Sequence, residues 1–182
     1  MRPTGSVGGD LPPVDLAIPQ LMRFEDPDES HNDIWFQLNR AKEDGLSISS
    51  RRISRLAWAI LGLLDADTIA RRRRRNFRHL ASRLGPWAFL AETSPRFVPV
   101  GFPVRLPSDE REKIRQYLYR QRVLPAVHWS NLPSPPHEFA GEHALASTLL
   151  TLPCDQRYGA PEMERVADLF IKASLLVRAG LP

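Results

Sequence analysis

One cysteine, Cys154, stands among 182 residues. A lone thiol can neither close an internal disulfide nor supply a metal cluster by itself, so disulfide scaffolds and zinc ribbons are excluded. A reducing, cytoplasmic compartment is the expectation. Lysine is nearly as scarce: 22 of the 25 basic residues are arginine, and only Lys42, Lys113 and Lys172 carry a side-chain amine. Long apolar runs are missing too. The longest, Leu56 to Leu64, has nine residues, against the roughly 20 that span a bilayer. No apolar segment of a secretion signal follows Met1, so neither export nor a membrane partner is expected. Net charge is small, with 25 Lys and Arg against 21 Asp and Glu. Five of the cations form the run Arg71 to Arg75, without which 20 stand against 21. A general nucleic-acid coat is therefore disfavoured.

The remaining composition, 42% apolar and 25% charged, is that of a globular chain long enough for one sizeable core or two small ones. Residues Met1 to Asp28 are dense in proline and glycine, which predicts an extended or poorly ordered lead. Ile34, Trp35 and Leu38 recur at helical spacing between Ser30 and Asp44, and Gly45 stops the pattern. Ser49 or Ser50 is placed to cap a following amphipathic helix with Ile53, Leu56, Ala57, Ile60 and Leu64 on one face. Beyond a turn at Asp65 to Asp67, Ile69, Phe77, Leu80, Ala81 and Leu84 continue the helical period to Gly85 and Pro86.

The second half alternates helical and strand-like stretches. Phe97 to Leu106 reads as an edge strand, apolar on alternate positions with Pro99 and Pro103 on the other side. Asp109 to Gln121 reads as a helix, Val123 to Trp129 as a second strand and Pro133 to Pro136 as a loop. A short helix near Ala144 to Leu149, a strand around Leu150 to Pro153 and a helix from Pro161 complete the pattern. These elements predict an α/β sandwich whose small sheet is covered by helices.

Several residues invite a chemical reading, and each has a plainer one. Five consecutive arginines on a helix point all round it, so some must face the protein body. They read first as a solvated or ion-paired face. His137-Glu138-Phe139-Ala140-Gly141-Glu142-His143 lacks the His-Glu-x-x-His spacing that puts two histidines one turn apart, and Gly141 favours a loop, so no metal site is assigned. Cys154 reads as a buried structural thiol, since a nucleophile needs a base and an electropositive setting. His128-Trp129, at the end of an apolar strand, is the stronger candidate, because strand ends are where side chains enter clefts.

In order, Ile53-Ser54 with Leu56, Ile69-Ala70 before the arginine run, Asn76-Phe77, Leu80 to Leu84, Phe102-Pro103-Val104 and Val127-His128-Trp129 are followed by Leu152-Pro153-Cys154-Asp155-Gln156-Arg157-Tyr158-Gly159 and Met163-Glu164-Arg165. This succession resembles the C-terminal part of the DegT/DnrJ/StrS sugar aminotransferase family, from about Ser49 to Ala173. The resemblance implies the small α/β domain of a fold type I enzyme dependent on pyridoxal phosphate, preceded by a long linker helix. It also implies transfer of an amino group to a keto sugar nucleotide and a cytoplasmic homodimer. On that basis 1–48 is a proline-rich remnant of the large domain, 49–85 the linker helices and 86–182 the small domain.

By position, His128 and Trp129 match the family's substrate-side pair, and Ser49 and Ser50 fall near the linker that approaches the neighbouring subunit's cofactor phosphate. Asp155, Gln156 and Arg157 are assigned first to fixing the turn before the last helix. The family holds its cofactor through a lysine of the large domain, and none of the three lysines here stands in that context. The expectation is a truncated aminotransferase that binds no cofactor alone and works with a second copy or a complementing large-domain chain. The alternative is a non-enzymatic partner domain reusing the fold.

Overall fold

A computed structural model describes residues 18–26, 30–45, 55–90, 94, 96–129 and 131–181. It divides into two compact units, Met1–Leu64 and Asp65–Pro182. The first contains helices α1 (Ile18–Phe24), α2 (Asn32–Asp44) and α3 (Arg55–Leu63). Helix α1 corrects the expectation of an extended or poorly ordered lead over Ile18–Phe24, while residues 1–17 lie outside the described residues. Pro19 falls in its first turn, where a missing amide hydrogen breaks no helical bond. Asp26 ties α1 to α2 by accepting from the Ser30 hydroxyl at 3.2 Å and the His31 amide at 3.0 Å. Helix α2 ends at Gly45, whose amide donates to the Ala41 carbonyl. Ser49, Ser50 and Ser54 lie outside the described residues.

The second unit opens with α4 (Ala66–Leu84). Asp65 caps it by accepting from the Thr68 amide at 2.9 Å, and hydrogen bonds from Thr68 hold the Asp65 carboxyl below its ordinary pKa. A 3-10 turn at Gly85–Trp87 ends the helix, as the Gly-Pro pair predicts. Strand β1 (Gly101–Arg105), helix α5 (Ser108–Arg120), helix α6 (Ala140–Thr148), strand β2 (Leu149–Pro153) and helix α7 (Ala160–Arg178) follow. At the start of α7, the Glu162 carboxylate accepts from the Gly159 amide at 2.8 Å. No helix among the described residues is long and apolar enough to cross a membrane.

β1 and β2 pair antiparallel, Gly101 opposite Pro153 and Arg105 opposite Leu149. Phe102, Val104, Leu150 and Leu152 all turn to one face, where they are fully buried. Helices α4, α5 and α7 cover that face, with α7 packed against both others. Phe77 meets Phe102 edge-on at 5.0 Å between ring centres, and Trp87 meets Phe170 at 5.5 Å. Each such ring buries enough apolar surface to be worth several kcal/mol. Pro103 causes no defect in the ladder. Its carbonyl accepts from the Phe89 amide on the side away from β2, so its missing donor falls outside the β1–β2 pairing.

The expected strand Val123 to Trp129 does not form as such. A single reciprocal bridge joins Ala126 to Thr151, both bonds being 2.9 Å. Pro125 has no amide hydrogen to offer, and Arg122 (φ 58°) and Trp129 (φ 56°) leave the extended region at either end. The expected short helix starts four residues early, at Ala140, and so includes Gly141, Glu142 and His143.

Candidate functional site

The segment running along the outer edge of β2 carries His128 and Trp129. Both are exposed, Trp129 to 68%, and their rings lie 5.7 Å apart with a tilt of 53°. A tryptophan at positive φ is strained by about 1–3 kcal/mol, and such strain collects where a side chain is held for use. The antiparallel bridge sends this pair toward the Leu149 end of β2.

The turn from β2 to α7 lies at the other end. Asn76, one turn beyond the middle of the arginine run, is buried in α4, and its amide nitrogen donates to the carbonyls of Asp155 (2.9 Å), Tyr158 (3.0 Å) and Cys154 (3.4 Å). Asp155 accepts from the Arg157 backbone amide at 3.0 Å and from both arms of its guanidinium at 2.8 and 2.9 Å. Those bonds hold the Asp155 carboxyl below the usual carboxylate range and raise the pKa of the Arg157 guanidinium. Arg73 donates to the Gln156 side chain at 2.7 Å and to the Pro99 carbonyl at 3.1 Å, and Arg74 to the Phe97 carbonyl at 2.9 Å. As expected of a run that surrounds its helix, some of the arginines face the protein body, and there they bind carbonyl oxygens.

Sequence reasoning assigned Asp155, Gln156 and Arg157 to the turn, and their bonds hold that turn. It gave Asn76 no role, although an asparagine amid strong helix formers is a signal, since its propensity is poor unless its side chain is engaged. Burial pushes the Cys154 thiol up to about 12, so it stays protonated and inert at neutral pH. His143 is bonded to the Ser134 carbonyl at 2.8 Å, while His137 and Glu138 are exposed neighbours on a turn. No group of three metal-ligating side chains converges among the described residues.

Two of the three lysines lie in the second unit. Lys172 is exposed on α7. Lys113, exposed on α5, edges an open groove of about 260 Å³ floored by Ala173, Leu176 and Val177. The carboxylate beside it, Glu112, is engaged by Arg115 and Gln116 and held down to about 2 by the Arg115 bond above all. A pyridine ring nitrogen would find no free acid there; the groove is lined by the sides of α5 and α7 and by Leu181, whose amide already donates to the Leu176 carbonyl.

Two antiparallel strands backed on one face by three helices make this unit a small α/β domain, and the chain is similar in fold to a solved sugar aminotransferase. Spr1654 from Streptococcus pneumoniae, assigned as a sugar aminotransferase and solved in its PMP form, matches with a TM-score of 0.55 at 18% identity, over 66% of this chain and 34% of its own. The aminotransferase TlmJ from Streptoalloteichus hindustanus matches with a TM-score of 0.46 at 16% identity, over 66% of this chain and 36% of its own. The chain thus has the fold of part of a sugar aminotransferase and spans about a third of the length of these structures. No protein-family model and no curated protein matches its sequence.

Proposed function

We propose that the chain serves as the small domain of a DegT/DnrJ/StrS-like sugar aminotransferase of fold type I, and that these 182 residues do not transaminate alone. The observation that carries this reading is the shared fold with Spr1654. The setting of Lys113 supports its second half: the acid beside it, Glu112, is already engaged by Arg115 and Gln116, where pyridoxal phosphate requires a free one. That group, when bound in such enzymes, supplies the electron sink for amino transfer. The role left to this chain is to hold substrate-side groups, His128 and Trp129 first, on a rigid edge against a large domain contributed by a second chain, in a dimer or a complementing pair. Ser49 and Ser50 are proposed to lie near the neighbouring subunit's phosphate. The test is an amino-transfer assay of the purified chain with glutamate, pyridoxal phosphate and a keto sugar nucleotide. No turnover is expected, and catalytic turnover would overturn the reading.

A second reading, a non-enzymatic partner domain reusing the fold, draws on α3, where Trp58 is 69% and Leu63 86% exposed beside Ile60, Leu61 and Leu64. It predicts that Trp58→Glu with Leu63→Glu abolishes the chain's association with a complete aminotransferase, whereas the first reading places the decisive contacts at His128 and Trp129.

A further inference from the structure

Two of the five arginines are accounted for by their inward carbonyl bonds. The other three, Arg71, Arg72 and Arg75, are exposed, and with Thr68 they line an open depression of about 430 Å³. At about 100° per residue, positions 68, 71, 72 and 75 fall within about 100° of arc on one side of α4, opposite the buried Phe77 and Leu80. Arg71 is anchored by the Thr68 hydroxyl at 2.6 Å, and Arg72 reaches the Gln156 carbonyl at 3.4 Å. Arg75 makes no hydrogen bond among the described residues, and no carboxylate there forms an ion pair with any of the three. The nearest acids are the cap residue Asp65 and Asp67 in the first turn; Asp65 accepts from the Thr68 amide and also feels the charge of Arg71, though no ion pair forms between them.

Like charges three and four residues apart destabilise a helix. Arg71 with Arg75, and Arg72 with Arg75, are two such pairs, a repulsion that an anion seated between them would relieve. We propose that this face binds the diphosphate group of a small phosphorylated ligand. Guanidinium forks match phosphate oxygens two at a time, and three within about 6 Å of helix rise suit two adjacent phosphates. A nucleic-acid backbone would need a longer track. Outside the run the chain has as many acids as bases, to within one, and none of the four lining residues is aromatic for a base to stack on.

Calorimetric titration of the full chain with inorganic pyrophosphate tests this. One site per chain is expected, with affinity that falls as salt rises. The triple variant Arg71→Gln, Arg72→Gln, Arg75→Gln is expected to lose about a hundredfold in affinity, and Arg75→Lys, which keeps the charge but not the fork, about tenfold. Arg105→Gln, on β1, serves as the unaffected control. Should the triple variant fail to fold, Arg75→Gln alone carries the test, since that side chain has no structural partner to lose. Absence of binding, or equal affinity in the Gln variants, overturns the proposal. So does single-stranded RNA that binds through the same arginines and is not displaced by pyrophosphate.

Discussion

The two units differ most where their sequences would suggest the reverse. Helix α3 is almost wholly apolar, yet Trp58, Ile60, Leu61 and Leu63 are exposed. Helix α4 carries seven arginines in 19 residues, yet it contributes Phe77, Leu80 and Leu84 to the core. Every buried hydrophobic side chain among the described residues lies between Phe77 and Ala173, in the second unit. Charge divides in the same way: residues 1–64 hold 7 basic and 9 acidic side chains, residues 65–182 hold 18 and 12. Burial follows the placement of apolar residues on one stripe, not their number. Among the described residues, the apolar side chains of α3 stay a surface, whereas a cationic helix with one dry stripe contributes to a core.

The contrast is sharpest in the core itself. Phe102→Ala or Phe170→Ala is expected to cost about 3–5 kcal/mol, whereas Trp58→Ala in α3 should stay within about 0.5 kcal/mol; urea denaturation of each variant checks the pair. A larger effect at Trp58 would show that α3 is packed after all. Asn76→Ala strands the carbonyls of Asp155 and Tyr158 and should cost about 2–3 kcal/mol in the same measurement. Gly101→Ala should cost about 1–3 kcal/mol, because a Cβ there would strike the Thr151 methyl and stand 3.1 Å from the Leu152 carbonyl. Adding Thr151→Ser, which deletes that methyl, should recover part of the loss.

Acid stability separates the turn from its surroundings. Asp155 and Glu112 both have lowered pKa values, Glu112 at about 2. The stability each lends is complete above the ordinary carboxylate value of about 4 and is lost as pH falls through the folded value. Asp155→Asn is expected to shallow the fall in stability as pH drops below about 4, read from urea midpoints against pH. The smallest effect belongs to the arginine run: Arg73→Gln should cost about 1 kcal/mol, while Arg75→Gln should be neutral within about 0.5 kcal/mol or slightly stabilising.

Much of the second unit was legible because its elements carry strong punctuation. Asp65, Gly85-Pro86 and Pro161 mark ends that the structure keeps within a residue or two. Phe102 and Val104 alternate with Pro103 as a one-sided strand must. What escaped is what depends on partners distant in sequence. Val123 to Trp129 has the composition of a strand, but only Ala126 finds a complete pair, because Pro125 lacks a donor and two residues turn to positive φ. Helix α1 hid behind the prolines that surround it. The grip of Asn76 on three carbonyls some 80 residues away has no local pattern. His128 and Trp129 were legible as a pair, but their register, at the opposite end of β2 from the Asp155 turn, was not.

The chain has the fold of part of a sugar aminotransferase, and we propose that none of its own amines holds the cofactor. Reduction of the purified chain with borohydride in the presence of pyridoxal phosphate, followed by intact mass and peptide mapping, tests it most directly. The account predicts no stoichiometric adduct at Lys42, Lys113 or Lys172. One full equivalent of cofactor fixed on a single one of them would contradict it.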